Sequence, residues 1–503
     1  IGFGEIPYEF SDAQRLWVTL CVYATVIVWI YAIGTLLSLV QDSSFQQAVT
    51  ERRFARRIKS LREHFYLVCG YGETGSELVS DLVEHNQHAV VLDIDPQRIS
   101  VLKLQNLRDF VPSLTADARH SRHLLEAGLK HEMCAGIVAV TNDNEANLKI
   151  AITSKLLNPE LQVICRADSH DVEANMASFG TDKIIDPYDT FGTMLSTALE
   201  SPCLYLLQQW LTGLAHECLR EPVYPPKEGK WIVCGFGRFG KAIYRRLQQA
   251  GLEIVVVEMA PELTGMPDTG VVRGRGTEAD TLMQADIENA IGIVAGTDDD
   301  ANNLSIIVTA LELNDKLFTI ARQNVRENQD LFDAVSCDMV MNPGNIIANK
   351  IRALLAMPML YDFLGLAYFQ DEAWACQLVS RISGAISDEV PDVWEMTVDD
   401  GQAHAVLKIQ QRGRGITLGD IQLNRFNRDQ SLNVVALLYQ NDGGKILLPE
   451  DDIRLSKGDR ILFCAANGVR HSMEWNLQNE NVLEYILLGG NPIQSKLLRF
   501  LSR

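Results

Sequence analysis

The sequence predicts a membrane-spanning α-helical segment followed by α/β architecture: two Rossmann-like, doubly wound parallel-sheet lobes and a small α+β C-terminal lobe. Three observations carry that expectation. A glycine fingerprint, Gly70-Tyr71-Gly72-Glu73-Thr74-Gly75, returns as Gly235-Phe236-Gly237-Arg238-Phe239-Gly240 at an offset of 165. Each copy lies between a short apolar run and a helical pattern, the setting in which such a turn cradles phosphate. Upstream, residues 16–40 are 25 positions without one charge, whereas a bilayer span needs about 20.

The apolar run comes first. A signal peptide is excluded because the basic leader is missing and the stretch is too long. The basic cluster Glu51-Arg52-Arg53-Phe54-Ala55-Arg56-Arg57-Ile58-Lys59 follows it closely, which places that side in the cytoplasm. Everything from residue 41 onward is therefore expected in the cytosol, with residues 1–9 toward the outer face. Gly34 is the only glycine within 16–40. Its place on the cytosolic third suits a hinge or a close-packed helix crossing.

The two lobes follow. Residues 65–69 and 231–234 read as strands before the fingerprints, and residues 88–93 and 253–258 as second strands ending in an acid. Asp93 and Glu258 each fall 23 residues after the first glycine, near the spacing at which a carboxylate reaches a ribose hydroxyl. The repeat continues at an offset of 156, through residues 137–142 against 293–298, Arg166 against Arg322, Asp186-Pro187 against Asn342-Pro343, and Pro202 against Pro358. Tyr224-Pro225-Pro226-Lys227-Glu228-Gly229 marks the linker between copies. From about 375 to 466 the texture changes to β-like runs (405–409, 434–439, 460–464) split by Gly/Asp turns, a small α+β domain. The last residues read as a mixed tail.

Composition narrows the partners. At 503 residues the chain exceeds the ~250–300 at which single cores stop growing. A net charge of −20 argues against nucleic acid or an anionic membrane surface as partner of the soluble part. Ten cysteines have no CxxC spacing, and Cys69, Cys165 and Cys234 sit in strand-like runs. They read as reduced, buried cysteines and not as a disulfide framework. The start at Ile1 reads as the remainder of a longer sequence.

Ile1-Gly2-Phe3-Gly4-Glu5 resembles the second part of a potassium-channel selectivity filter, the Thr-Val-Gly-Tyr-Gly signature followed by an acid, with Phe3 for the usual Tyr. Glycines there let carbonyls point into a narrow pore. Filter, inner helix, basic linker and repeated fingerprint lobes together resemble a prokaryotic potassium channel with tandem RCK (regulator of potassium conductance, Trk-type NAD-binding) domains. The segment Leu447-Leu448-Pro449 through Leu455-Ser456-Lys457-Gly458-Asp459-Arg460-Ile461-Leu462 looks like that family's C-terminal lobe. The resemblance implies a non-enzymatic, ligand-gated subunit of a homotetramer in the cell inner membrane, multi-pass, with an eight-lobe cytoplasmic gating ring. It divides the chain into filter end and outer loop (1–14), inner pore helix (15–41), basic linker (42–62), first lobe with crossover helices (63–224), second lobe with crossover helices (230–370), C-terminal lobe (371–468) and tail (469–503). K⁺ is the implied permeant ion, carried past Ile1, Gly2, Phe3 and Gly4. The rival reading is a membrane-anchored NAD-dependent oxidoreductase, which needs a substrate domain where this chain has a second lobe.

The expected ligand is NAD or an adenine nucleotide. In the first copy Gly70, Gly72 and Gly75 form the turn, with Tyr71, Glu73 and Thr74 between them. Asp93 accepts from ribose, Asp117-Ala118 resembles the family's Gly-Asp-Ala segment beside the adenine with Ala116 replacing the glycine, and Arg166 neutralises phosphate. Glu73 opposes this by placing a carboxylate near the phosphates. In the second copy Gly235, Phe236, Gly237, Arg238, Phe239 and Gly240 repeat the turn, with Arg238 a phosphate partner, Glu258 the ribose acid and Arg322 the repeat of Arg166. Arg275, inside Gly274-Arg275-Gly276, stands where the family has Asp. Thr297-Asp298-Asp299-Asp300 and Glu450-Asp451-Asp452 are acidic enough to hold calcium (Ca2+), a ligand of some RCK rings, but lack EF-hand spacing. His120, His123 and His131 read as solvated helix histidines over a metal pair.

Overall fold

The computed structural model describes residues 9–489 apart from 85–86, 106, 109, 214–218, 220, 268–269 and 387–388. The filter-like residues Ile1, Gly2, Phe3 and Gly4 lie outside the described residues. The chain opens with a 30-residue helix, Asp12–Gln41. At ~1.5 Å per residue it is ~45 Å long, enough for a ~30 Å hydrocarbon core. A helix of a soluble domain buries one apolar stripe; here Trp17, Ile27, Trp29, Ile30 and Tyr31 are all exposed, on every side of the helix. The basic linker is a second helix, Ser43–Lys59. Phe54 and Ile58 from it are buried in the core of the first lobe beside Phe65, Leu124 and Leu129, so the linker is keyed to that lobe.

The first lobe holds β1 (Phe65–Cys69), β2 (His88–Asp93), β3 (Ser113–Thr115), β4 (Cys134–Ala139), β5 (Gln162–Arg166) and β6 (Lys183–Ile185). They form one parallel sheet in the order β3-β2-β1-β4-β5-β6, with Leu67 of β1 flanked by Val90 and Ile137. The second lobe repeats the plan with β7 (Lys230–Cys234), β8 (Glu253–Glu258), β9 (Val271–Arg273), β10 (Ala290–Ala295), β11 (Phe318–Arg322) and β12 (Met339–Met341), ordered β12-β11-β10-β7-β8-β9. Helices cover both faces, so the central strands are apolar throughout instead of alternating; Leu67, Val68, Cys69, Trp231, Ile232 and Val233 are fully buried.

The lobes exchange helices. Helix Pro187–Glu200, which leaves the first sheet, lays Tyr188, Phe191 and Leu195 against Phe239 and Ile243 of the second lobe's fingerprint helix, Arg238–Gln249. Reciprocally, helix Pro343–Ala356 brings Ile347, Ile351 and Leu355 onto Leu78 and Leu82 of the first fingerprint helix, Glu73–Glu84. Each large apolar side chain so buried contributes about 1.5–3 kcal/mol. Arg352 is 4% exposed; it donates to the Thr212 carbonyl and lies 3.8 Å from the Asp81 carboxylate.

The C-terminal lobe is a four-stranded antiparallel sheet of β13 (Asp392–Thr397), β14 (Val434–Asn441), β15 (Gly444–Leu447) and β16 (Arg460–Ala465), in the order β13-β16-β14-β15. Residues 405–409 are not a strand but the middle of helix His404–Gln411. An apolar run of five is short enough to read either way, and here Ala405, Val406, Leu407 and Ile409 all face the core. The tail is also different from the expectation as far as residue 489. Helices Val469–Gln478 and Glu480–Leu488 bury Met473, Leu477 and Leu483 in the same core.

The cysteine reading needs one correction. Cys69, Cys134, Cys165, Cys234 and Cys464 are free and buried, but Cys203 and Cys376 are joined in a disulfide across 173 residues of sequence. The partners come together only when helix Pro202–Thr212 packs on helix Glu372–Ser383, so no local spacing could announce the pair.

Candidate functional site

Each fingerprint lies where its strand order reverses, between β1 and β4 in the first lobe and between β7 and β10 in the second. That crevice is where open α/β sheets bind ligands. Gly70 and Gly235 have φ of 105° and 92°, a region that disfavours side chains. Gly75 and Gly240 are needed for packing: a Cβ on either would lie 1.9 Å from the carbonyl oxygen of Gly70 or Gly235. A Cβ on Gly237 would meet nothing within 4 Å, so the middle of that turn opens outward. The second fingerprint helix begins at Gly237 without a side-chain cap, leaving its first N–H groups free for an anion.

The two acids hold corresponding positions. Asp93, 4% exposed, accepts from the Tyr71 N–H at 2.5 Å and the Asp95 N–H at 2.7 Å. Glu258, 8% exposed, accepts from Phe236 N–H at 2.6 Å and Ala260 N–H at 2.9 Å. Each carboxylate thus ties the fingerprint turn to the end of the second strand and retains lone pairs for a ribose. Tyr71 itself is buried, donates to Gln105 at 2.7 Å, and has its phenol pushed up to about 12 by burial. Thr74 and Phe239 are core residues of their helices.

Glu73 and Arg238 depart from their expected roles. Glu73 does not face its own turn alone: its carboxylate accepts the backbone N–H of Arg326, in the second lobe, at 3.1 Å. Arg238 reaches the first lobe, 2.6 Å from Asp168, with its guanidinium 5.5 Å from the Tyr188 ring. Each fingerprint is therefore latched to the loop after the fifth strand of the opposite lobe. Arg166 bonds Asn142 at 2.9 Å and lies 3.8 Å from Asp168, near its own turn. Arg322 instead stacks on Tyr188, 5.2 Å from the ring, and donates to its hydroxyl.

A cation missing from the sequence reading is Arg98. Its guanidinium lies 3.6 Å from Asp93 and would be 3.5 Å from a Cβ on Gly72. The position 165 residues on is Leu263, 88% exposed. Each fingerprint mouth thus has one arginine, Arg98 in the first and Arg238 in the second. The signal was available five residues after the acid, but an arginine on an exposed helix is common.

Beside the expected adenine position, Asp117 is gripped by Arg119 through Nε and Nη2 at 2.8–3.0 Å. Those bonds hold its carboxyl below the usual range, and Ala118 is buried next to it. Arg275 turns to the Met259 sulfur at 3.1 Å. Gly274 and Gly276 around it press on Thr281 and Cys234, where a Cβ would come within 2.7–2.8 Å.

The acidic loops are engaged by protein donors. Asp300 accepts from Asn324 N–H at 2.6 Å, Val325 N–H at 3.0 Å, and the Asn324 and Asn328 amides at 2.9 and 2.8 Å. Asp299 caps the following helix through Asn302. His123, on helix Ser121–Glu126, has its Nδ1 2.8 Å from the Asp117 carbonyl. Separate from both fingerprints, a cavity of about 740 Å³ opens between the exchanged helices, lined in part by Glu77, Arg326, Asn345 and Tyr361. Lys350 lines it too, and burial lowers its ammonium from the ordinary value.

The TrkA-N domain family matches residues 66–187 and again 231–343. Probable potassium channel protein 2 of Methanocaldococcus jannaschii is 24% identical over 190 residues, covering 37% of this chain and 53% of the relative. Potassium channel protein 1 of the same organism is 25% identical over 205 residues, 40% of this chain and 59% of the relative. The Trk system potassium uptake protein TrkA homolog of Pyrococcus abyssi is 31% identical over 136 residues, 25% of this chain and 60% of the relative. The chain thus spans between half and three-fifths of the length of these relatives. Among solved structures, the GsuK channel bound to NAD superposes with a TM-score of 0.50 at 18% identity, over 95% of this chain and 90% of that one. That likeness is one of fold. The two matched segments coincide with the two fingerprint sheets, so each sheet of this chain is similar to a TrkA-N domain.

Proposed function

We propose that the chain is the inner-helix and gating-ring portion of a nucleotide-regulated potassium channel subunit, acting as a homotetramer whose four chains contribute eight lobes. The observation that carries this reading is the continuous mechanical path. An apolar helix with none of its described residues buried joins helix Ser43–Lys59, and Phe54 and Ile58 from that second helix are buried in the nucleotide-type lobe. The relatives named as potassium channel proteins and the fold shared with an NAD-bound channel support it. Where an oxidoreductase would place a substrate domain, this chain has the second TrkA-N lobe.

NAD or an adenine nucleotide fits the residues present. The second turn is open at Gly237, the first is overhung at Gly72 by Arg98, the acids are held at the ends of β2 and β8, and Arg98 and Arg238 stand at the mouths. Arg238 can turn to a phosphate only by loosening its grip on Asp168, and Glu73 holds Arg326 in the same way. Ligand at either turn would thus compete with an interlobe latch and shift the angle between lobes. The helix Ser43–Lys59 would carry that displacement to Asp12–Gln41. A ligand biases such a two-state ring only by its difference in affinity between states. Calcium has less support, since Asp300 is already satisfied by four donors.

The test is ion flux through the reconstituted full-length protein, with and without NAD, ADP or ATP. K⁺ should pass in strong preference to Na⁺, and at least one nucleotide should change the flux. Equal permeation, or a dimer as the only species in mild detergent, would sink the pore reading. A Gly/Ser insertion at the junction before helix Ser43–Lys59 should uncouple ligand from conductance while both parts still work.

A further inference from the structure

Cys203 and Cys376 differ in setting from the five buried thiols. Cys69, Cys134, Cys165, Cys234 and Cys464 are buried, and burial pushes every one of them up, Cys134, Cys165 and Cys234 to about 12. Such thiols are poor nucleophiles. Cys203 and Cys376 are half-buried, with Cα atoms 5.1 Å apart. Cys203 is in the first turn of helix Pro202–Thr212, where backbone N–H groups and the helix dipole favour a thiolate. Glu372 completes the cluster: it accepts the Cys203 N–H at 3.1 Å and the Ser201 hydroxyl, and lies 3.4 Å from the Cys376 sulfur. The second crossover shows what a purely structural version looks like. There the residue 156 positions on from Cys203 is Met359, whose N–H is capped by Glu395 at 2.6 Å. The cap is kept and the sulfur chemistry is not.

We propose that Cys203 and Cys376 form a thiol–disulfide modification site, oxidised by a low-molecular-weight disulfide, that fastens the first crossover helix to the C-terminal lobe. The Cys203 thiolate attacks one sulfur of the small disulfide, forming a mixed disulfide and expelling one small thiolate. Cys376 gives its proton to the Glu372 carboxylate or to water, and its thiolate then attacks the Cys203 sulfur and expels the second small thiolate. Two protein thiols are oxidised and one small disulfide is reduced to two thiols, so atoms and electrons balance. In the reduced state the same helices keep the Glu372 bonds to Ser201 and the Cys203 N–H and the apolar contacts of Leu204, Leu207, Leu378 and Ile382, but lose the covalent tie.

The experiment uses the full chain, reduced, desalted and exposed to 2-hydroxyethyl disulfide, with iodoacetamide quenching and peptide mass spectrometry over time. The linked Cys203–Cys376 peptide should form first and to completion, while Cys69, Cys165 and Cys234 stay alkylatable only after denaturation. Cys376→Ser should instead retain one mercaptoethanol adduct at Cys203. The parent should unfold at a higher temperature oxidised than reduced, and Cys376→Ser should lose that difference. If Cys203 and Cys376 stay reduced while Cys337 is oxidised, the proposal is wrong. Zinc alone protecting both thiols from alkylation, in a chain that the reagent leaves reduced, would assign the cluster to a metal and also overturn it.

Discussion

Replacing Asp93 by Asn tests whether the acid at the end of β2 does two jobs at once. In the parent its two carboxylate oxygens accept two separate backbone N–H groups, Tyr71 at 2.5 Å and Asp95 at 2.7 Å. Asparagine offers one acceptor and one donor, so one of these N–H groups would face an NH₂. An orphaned buried donor costs about 1–3 kcal/mol. For a domain of this size each kcal/mol moves Tm by ~2–4 °C, so the first lobe should melt roughly 2–12 °C lower. The second effect is on ligand. Losing charge-assisted bonds to a ribose should weaken nucleotide at the first site by roughly 10- to 100-fold. Glu258→Gln is the matched variant, because Glu258 accepts from Phe236 and Ala260 in the same way. Scanning calorimetry gives stability, and titration calorimetry with NAD, ADP and ATP gives affinity, each variant serving as the other's control. A variant that melts like the parent would refute the tie between turn and strand. Unchanged affinity at both sites would refute the ribose role even if stability fell.

Three further outcomes follow from the geometry. Arg352→Ala removes a buried guanidinium that donates to the Thr212 carbonyl and lies 3.8 Å from Asp81, and losing a hydrogen bond to a charged group costs about 1.5–3 kcal/mol; a denaturant midpoint equal to the parent's would mean Arg352 is not holding the exchanged helix. Gly34→Ala adds a Cβ that meets nothing within 4 Å and favours helix by about 1 kcal/mol; single-channel recording should give altered open probability with unchanged K⁺ selectivity and unchanged nucleotide affinity, and identical gating would remove the hinge. Burial raises the Glu395 carboxyl above its ordinary 4.5, so its contribution to folding is fullest below that value and is lost as pH rises through the folded-state value. Glu395→Gln, neutral and still able to accept from Met359, should flatten the fall of Tm as pH rises above the ordinary carboxylate range, whereas a curve parallel to the parent's would place the titration elsewhere.

The fingerprint turns were legible because their constraint is local. Gly75 and Gly240 are fixed by a contact within six residues, and the acids by a spacing of 23. The duplicated sheets were legible for the same reason, since their central strands each carry an apolar run. What escaped depends on partners distant in sequence. Glu73 reads as an obstacle to phosphate until Arg326, 253 residues away, is seen taking its oxygen. Cys203 and Cys376 have no motif, and residues 405–409 have the composition of a strand but bury their side chains as a helix. Arg98 was missed because its role comes from the turn it overhangs, not from its neighbours in the chain.

The two interlobe latches have opposite polarity, and that has a consequence for assembly. The first fingerprint presents a carboxylate, Glu73, to the second lobe, and the second presents a guanidinium, Arg238, to Asp168 of the first. The same exchange appears behind them: Asn144 faces Asp168 in one copy, and Asp300 faces Asn324 in the other. Were two first lobes to meet through this surface, Glu73 would confront Asp168, acid on acid. Two second lobes would set Arg238 against an amide and forfeit the ion pair. Only the unlike pairing satisfies both ends, so duplicated lobes that share a fold are kept from substituting for one another. Specificity of this kind rests on repulsion in the wrong pair as much as attraction in the right one.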